Sequence, residues 1–177
     1  MKKFNLVLLF VSFSISLSSV AFANSDHKMP IVEMPKSFDT LKSLVGTWEG
    51  SSDMGDGKQT PVVVVYELTS GGTAISEKLM PGTPHEMVSI YHKEGKSLGM
   101  THFCALGNQP HMKLKKAESN RMAFEMAGTS GISSSKEPHM HALTLTMADS
   151  DSLKQEWVHF AGGKKGMTAV FEYKRKK

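Results

Sequence analysis

The sequence predicts an all-β fold: an up-and-down antiparallel β-barrel of about ten strands, with a short helix at its closed end. Three observations carry that expectation. From Gly46 onward apolar and polar residues alternate with period two. The alternating runs are short and are punctuated by Gly, Asn, Asp and Ser. The connections alternate in length, and in a meander this gathers the tight turns at one end and the longer loops at the other.

Residues 1–23 have the form of a signal peptide. Lys2 and Lys3 make a positive start, Leu6 to Val20 an apolar, Ser-diluted run, and Ala21-Phe-Ala23 a small-x-small cleavage site. The apolar run falls short of the roughly 20 residues of a membrane span, and no Cys follows it for lipid attachment. The mature chain is therefore expected in an exported compartment, periplasmic or secreted, without stable membrane insertion. Residues 24–36, polar with two prolines, read as an extended leader, and residues 37–177 as a single barrel domain. His27 would stand third, as in an amino-terminal copper site, only if cleavage fell after Asn24; after Ala23 it reads as a solvated leader histidine.

Ser37 is expected to cap a short helix in which Phe38, Leu41 and Leu44/Val45 share a face, and Gly46 ends it. Strands follow at roughly 46–51, 61–69, 73–80, 86–93, 97–105, 111–117, 121–127, 139–148, 152–160 and 167–175. Tight turns follow the even strands: Ser70-Gly-Gly72, Glu94-Gly-Lys96, Glu118-Ser-Asn120 and Asp149-Ser-Asp151. Most odd strands are followed by longer loops, 52–60, 81–85, 106–110, 128–138 and 161–166, of which 128–137 reads as the most flexible. The helix belongs to the tight-turn end and would plug it. A closed floor and a loop-rich mouth describe a barrel that holds a ligand.

Charge narrows the function classes. The formal net charge of +4 falls by two when Lys2 and Lys3 are removed, and most basic residues are scattered, so nucleic acid is not an expected partner. Lys174-Arg-Lys-Lys177 reads as a solvated tail. A lone cysteine cannot form an internal disulfide. Cys104 is thus a buried thiol, an intermolecular cross-link or a ligand.

Strand order brings the special side chains together. His102 and Cys104 end strand five, His159 ends strand nine, His139 and His141 open strand eight, His111 opens strand six and His85 precedes strand four, so all belong at the mouth. His92 ends an even strand and belongs at the floor. Alternation places His139, His141, Leu143, Leu145 and Met147 on one inward face, as it does Leu98, Met100, His102 and Cys104, and Leu153, Gln155, Trp157 and His159. His111 shares its face with Lys113 and Lys115 and points out. Met100, Met112, Met122, Met126, Met147 and Met167 fall on inner faces with Phe124 and Phe171. Glu77 and Lys78 read as ordinary strand alternation.

Alternate strand residues lie about 6.6 Å apart and point the same way. His139-x-His141 with His102 and Cys104 could therefore converge on zinc or copper. Equally, His102, His139, His141 and His159 could orient the polar end of a small apolar ligand, its body lined by Trp157, Met122, Phe124, Met126 and Met147. No cofactor is required by the sequence; zinc, copper and haem are the candidates. An enzyme built on Cys104 and a histidine is the third reading and the sequence leans against it, since no nucleophile–base arrangement or nucleotide-binding glycine loop is present.

Leu44-Val-Gly-Thr-Trp-Glu-Gly50 after a short helix resembles the opening of lipocalin-like barrels of the nitrobindin and fatty-acid-binding type. Thr101-His-Phe-Cys-Ala-Leu-Gly-Asn-Gln-Pro110, with Leu68-Thr-Ser-Gly-Gly-Thr73 and Pro138-His-Met-His141, is similar to a bacterial family of exported lipocalin-like (calycin) barrels. The resemblance spans about residues 38–175. It implies a lipocalin-like barrel in which Trp48 packs against the floor. The nitrobindin likeness also implies haem held by a histidine near the final strand. Met167-Thr-Ala-Val-Phe-Glu-Tyr-Lys-Arg175 has no such residue, which leaves His159 on the preceding strand as the substitute.

Overall fold

A computed structural model describes residues 31–54 and 56–177; the expected signal segment 1–23, residues 24–30 of the leader and His27 lie outside the described residues. The helix α1 (Ser37–Lys42) is followed by β1 (Gly46–Asp53), β2 (Gln59–Thr69), β3 (Ala74–Leu79), β4 (Met87–Glu94) and β5 (Ser97–Phe103). Then come β6 (His111–Ala117), β7 (Arg121–Met126), β8 (His139–Asp149), β9 (Ser152–Ala161) and β10 (Lys164–Arg175). Each strand pairs antiparallel with the next, and β1 pairs with β10, so the sheet closes on itself in meander order. Closure leaves no strand edge to pair with another chain. The all-β, ten-stranded up-and-down barrel expected from the alternating pattern is the observed fold.

The closed end depends on a few long-range contacts. A helix of six residues is too short to hold itself, and α1 is kept in place by burying Phe38 and Leu41 completely. Lys36 rather than Ser37 precedes its first turn, and no side chain caps it, which corrects the expected Ser37 cap. Trp48 Nε1 donates to the Leu44 carbonyl at 2.8 Å. Arg175 lies 4.1 Å above the Trp48 ring and donates to the carbonyls of Ser43 (2.7 Å), Val45 (2.9 Å) and Ser150 (3.0 Å). It therefore satisfies the carbonyls left open where the chain leaves α1. The expected solvated tail is corrected at this position. β10 is in register with β1 so that Arg175 falls opposite Trp48, which draws its guanidinium onto the floor. Gly50 permits the close crossing of the same two strands, since a Cβ there would lie 1.8 Å from the Glu172 carbonyl oxygen.

Candidate functional site

A carboxyl group lies at the middle of the barrel. Ile75, Glu77 and Leu79 share the inward face of β3, and Glu77 is only 1% exposed. Tyr91 donates its hydroxyl to one carboxyl oxygen, and Gln155 Nε2 donates to the other at 3.0 Å and shares the Tyr66 hydroxyl at 2.5 Å. Trp157 Nε1 donates to Gln155 Oε1 at 3.1 Å. The hydrogen-bond chain thus crosses the lumen from β2, β3 and β4 to β9. Burial pushes Glu77 up to about 7 despite these donors, and burial beside Glu77 holds Tyr66 and Tyr91 well above the ordinary tyrosine range. Reading Glu77 as ordinary alternation missed this group. The signal was its shared face with Ile75 and Leu79.

His102 sits one layer nearer the mouth. Its Nδ1 is 3.0 Å from the Ser89 hydroxyl, its ring centroid is 4.4 Å from that of Trp157, and Nε2 has no hydrogen-bond partner among the described residues. Burial pushes it down to about 4, so it is neutral at pH 7. Phe103 is 47% exposed, so strand alternation resolves as expected, with Leu98, Met100, His102 and Cys104 inside. Trp157, Met122 and Phe124 are at most 1% exposed and Met147 is 9% exposed, all within one packed cluster. At these positions the lumen is filled by side chains rather than open, and Met122, Phe124, Met147 and Trp157 build the core.

Open space begins above that layer. A cavity of about 260 Å³ at the mouth is lined by Met54, Met80, Met87, Met140, Met167 and Cys104, with His85 and His159 among its remaining walls. Its lining is almost entirely apolar. Cys104, just past β5, opens a turn closed by Gly107 N–H to the Cys104 carbonyl at 2.9 Å. Burial raises the Cys104 thiol, while backbone N–H groups of Leu106 and Ala105 at the sulfur oppose the rise. Gly166 leaves room for His159, since a Cβ there would come within 3.1 Å of its Nδ1.

His139 and His141 are placed differently from the expectation. The β8–β9 register shifts between Met140 and Ala142, so one extra residue enters β8 at this point. Such a bulge reverses alternation. Met140, opposite His159, therefore joins the mouth cavity, while both histidines turn to the side of Phe160. The His141 ring stacks on Phe160 with centroids 3.9 Å apart, and His139 Nε2 lies 3.1 Å from His141 Nδ1. Desolvation, with His139 nearby, lowers His141. These rings, with Met126, border a separate pocket of about 190 Å³ beneath residues Gly128, Ile132 and Ser135. The loop expected to be the most flexible is tied to its neighbours: Asn108 Nδ2 donates to Glu137 Oε1 (2.7 Å) and the Pro138 carbonyl (2.8 Å), and Gln109 N–H to the Gly131 carbonyl (3.0 Å).

The expected collar is thereby split. His102 lies in the core, His159 and Cys104 at the mouth cavity, and His139 and His141 in the side pocket. Among the described residues no three His, Cys, Asp or Glu side chains are grouped to share a metal ion, so His102, Cys104, His139 and His141 do not form one ligand set. Haem fits no better. β10 carries no histidine, and the space beside His159 is small and floored by packed side chains. His111 faces outward as expected, with Nε2 2.8 Å from Glu94. His92, expected at the floor, lies with its ring centroid 5.9 Å from that of His111 on the barrel's outer wall. His111 pairs with Thr101 and His92 with Gly99, so the stagger of short strands brings the two together.

No family model matches the chain, and no curated protein matches it. Among solved structures it is similar to Rv2717c from M. tuberculosis, with a TM-score of 0.54 at 12% identity, covering 82% of this chain and 100% of that one. A redesigned β-barrel aligns with a TM-score of 0.41, also at 12% identity over 82% of this chain and 100% of its own. At this identity the first likeness shows a shared barrel fold.

Proposed function

We propose that this protein is an exported, lipocalin-like barrel that binds a small, largely apolar molecule in the mouth of its lumen. One observation carries the reading: an open, nearly apolar cavity of about 260 Å³ sits directly above a fully packed core. That volume lies just below the usual span of small-molecule sites, roughly 300–1,000 Å³, and suits a short or flexible ligand. Unbranched methionine side chains adapt their shape to such a guest. His159 and His85 would orient the ligand's polar end, in place of the wider collar of His102, His139 and His141. The reading takes residues 1–23 as the signal segment and 37–177 as the functional domain.

Native mass spectrometry of protein purified from its own compartment tests this, alongside binding of 1-anilinonaphthalene-8-sulfonate. The expected result is an organic adduct, or probe binding that weakens by at least about tenfold in Met140→Trp, which fills the cavity. An empty protein whose probe binding ignores Met140→Trp would overturn the proposal.

A further inference from the structure

We propose a second ligand class for the mouth cavity: a soft monovalent cation, cuprous copper, held by methionine thioethers together with the Cys104 sulfur. This goes beyond the apolar-ligand reading and does not depend on it.

The argument begins with what lines the cavity. Met54, Met80, Met87, Met140 and Met167 come from five different segments, and with Cys104 they make six sulfur-bearing residues lining about 260 Å³. No Asp or Glu is among the residues lining it. Soft thioether and thiol donors select Cu(I), whereas hard cations need carboxylate and carbonyl oxygens. The three rotatable bonds of methionine let several sulfurs converge without moving the backbone.

Packing does not explain the two outermost methionines, although Met87 belongs to the buried core and Met80 and Met140 pack against it. Met100, Met112 and Met122 are completely buried, whereas Met54 and Met167 stand 40% and 38% exposed at the cavity rim, where apolar side chains gain little. Met80 adopts φ +54° at the lip, a backbone region that a bulky side chain rarely enters. Such strain collects at functional positions. Cys104 holds the first position of a turn closed by the Gly107 N–H to its carbonyl at 2.9 Å, and it is 9% exposed at the cavity wall. One pleat below on the same strand face, His102 is 1% exposed and its Nε2 has no partner among the described residues. His85 and His159 add borderline nitrogen donors at the edge.

The test uses the full mature chain. Cu(I) is titrated anaerobically in competition with bathocuproine disulfonate, and Ag(I), a redox-inert analogue, is followed by native mass spectrometry. The expected result is one ion retained per chain. Combined Met80→Leu, Met87→Leu and Met140→Leu should weaken retention by about a hundredfold or more. Leucine keeps volume and apolarity, so the same variant should still bind 1-anilinonaphthalene-8-sulfonate, which separates this proposal from the apolar-ligand reading. Should the triple variant fail to fold, X-ray absorption of Cu(I)-loaded wild type decides: a sulfur-dominated shell supports the site. No retention by wild type, undiminished retention by a folded triple variant, Zn(II) held as tightly as Cu(I), or a nitrogen- and oxygen-dominated shell would each overturn it.

Discussion

At the closed end, α1 lays Phe38 and Leu41 under the barrel and Arg175 satisfies the carbonyls of Ser43 and Val45. At the other end, Met54 and Met167 stand about two-fifths exposed around an open cavity. The same residue type also behaves differently by height. Met100, Met112 and Met122 are core filler, and Met80, Met140 and Met167 line open space. Stability is therefore concentrated in the floor and middle layers, and adaptability at the rim. A residue's depth in the barrel, more than its chemical type, decides whether it packs in the core or borders open space.

The largest expected effect is at the floor. Trp48→Ala removes a buried ring that anchors both α1 and Arg175, and should lower unfolding free energy by about 3–5 kcal/mol in chemical denaturation. A loss under about 1 kcal/mol would mean that the floor is not where stability resides. Arg175→Ala comes next, at roughly 1–3 kcal/mol, from the lost carbonyl bonds and the stacking on Trp48; Arg175→Lys should recover only part of it.

The middle layer should show itself through pH. Glu77 is raised to about 7 in the folded chain from an ordinary value of 4.5. The folded state thus holds a proton that the unfolded state has released between those values. Its contribution to stability is complete below pH 4.5, declines as pH rises toward 7, and is then flat. His102 has the opposite sign. Lowered to about 4 from 6.5, it contributes above pH 6.5 and loses that contribution as pH falls toward 4. Glu77→Gln should therefore gain on wild type by up to roughly 3 kcal/mol between pH 4.5 and 7. Urea unfolding at several pH values would measure the difference, and parallel pH profiles would show that Glu77 does not titrate in that window. The smallest effect belongs to the rim: Met140→Leu should change stability by less than about 1.5 kcal/mol.

Most of the fold was legible because its determinants are local. Period-two runs and the spacing of Gly, Asn and Asp turns fix strand number and order within a few residues of sequence. Inner faces were legible for β5 and β9 for the same reason. Three features were not. The bulge near His141 carries no Gly or Pro to mark it, yet it turns His139 and His141 away from the cavity and brings Met140 in. The role of Arg175 depends on pairing the first strand with the last, a contact that joins residues 130 positions apart. The loss of a continuous lumen depends on the Glu77, Tyr91, Gln155 and Trp157 chain, whose members come from three strands and meet only once the barrel closes. Glu77 alone could have been found, from the face it shares with Ile75 and Leu79.

The claim that binding occurs above a filled core is tested most directly by methyl NMR of protein carrying 13C-labelled methionine methyl groups. On titration with 1-anilinonaphthalene-8-sulfonate, the signals of Met80, Met87, Met140 and Met167 should move, while those of Met100, Met112 and Met122 stay in place. Movement of the buried set with a silent rim would contradict the account and return the site to the lumen.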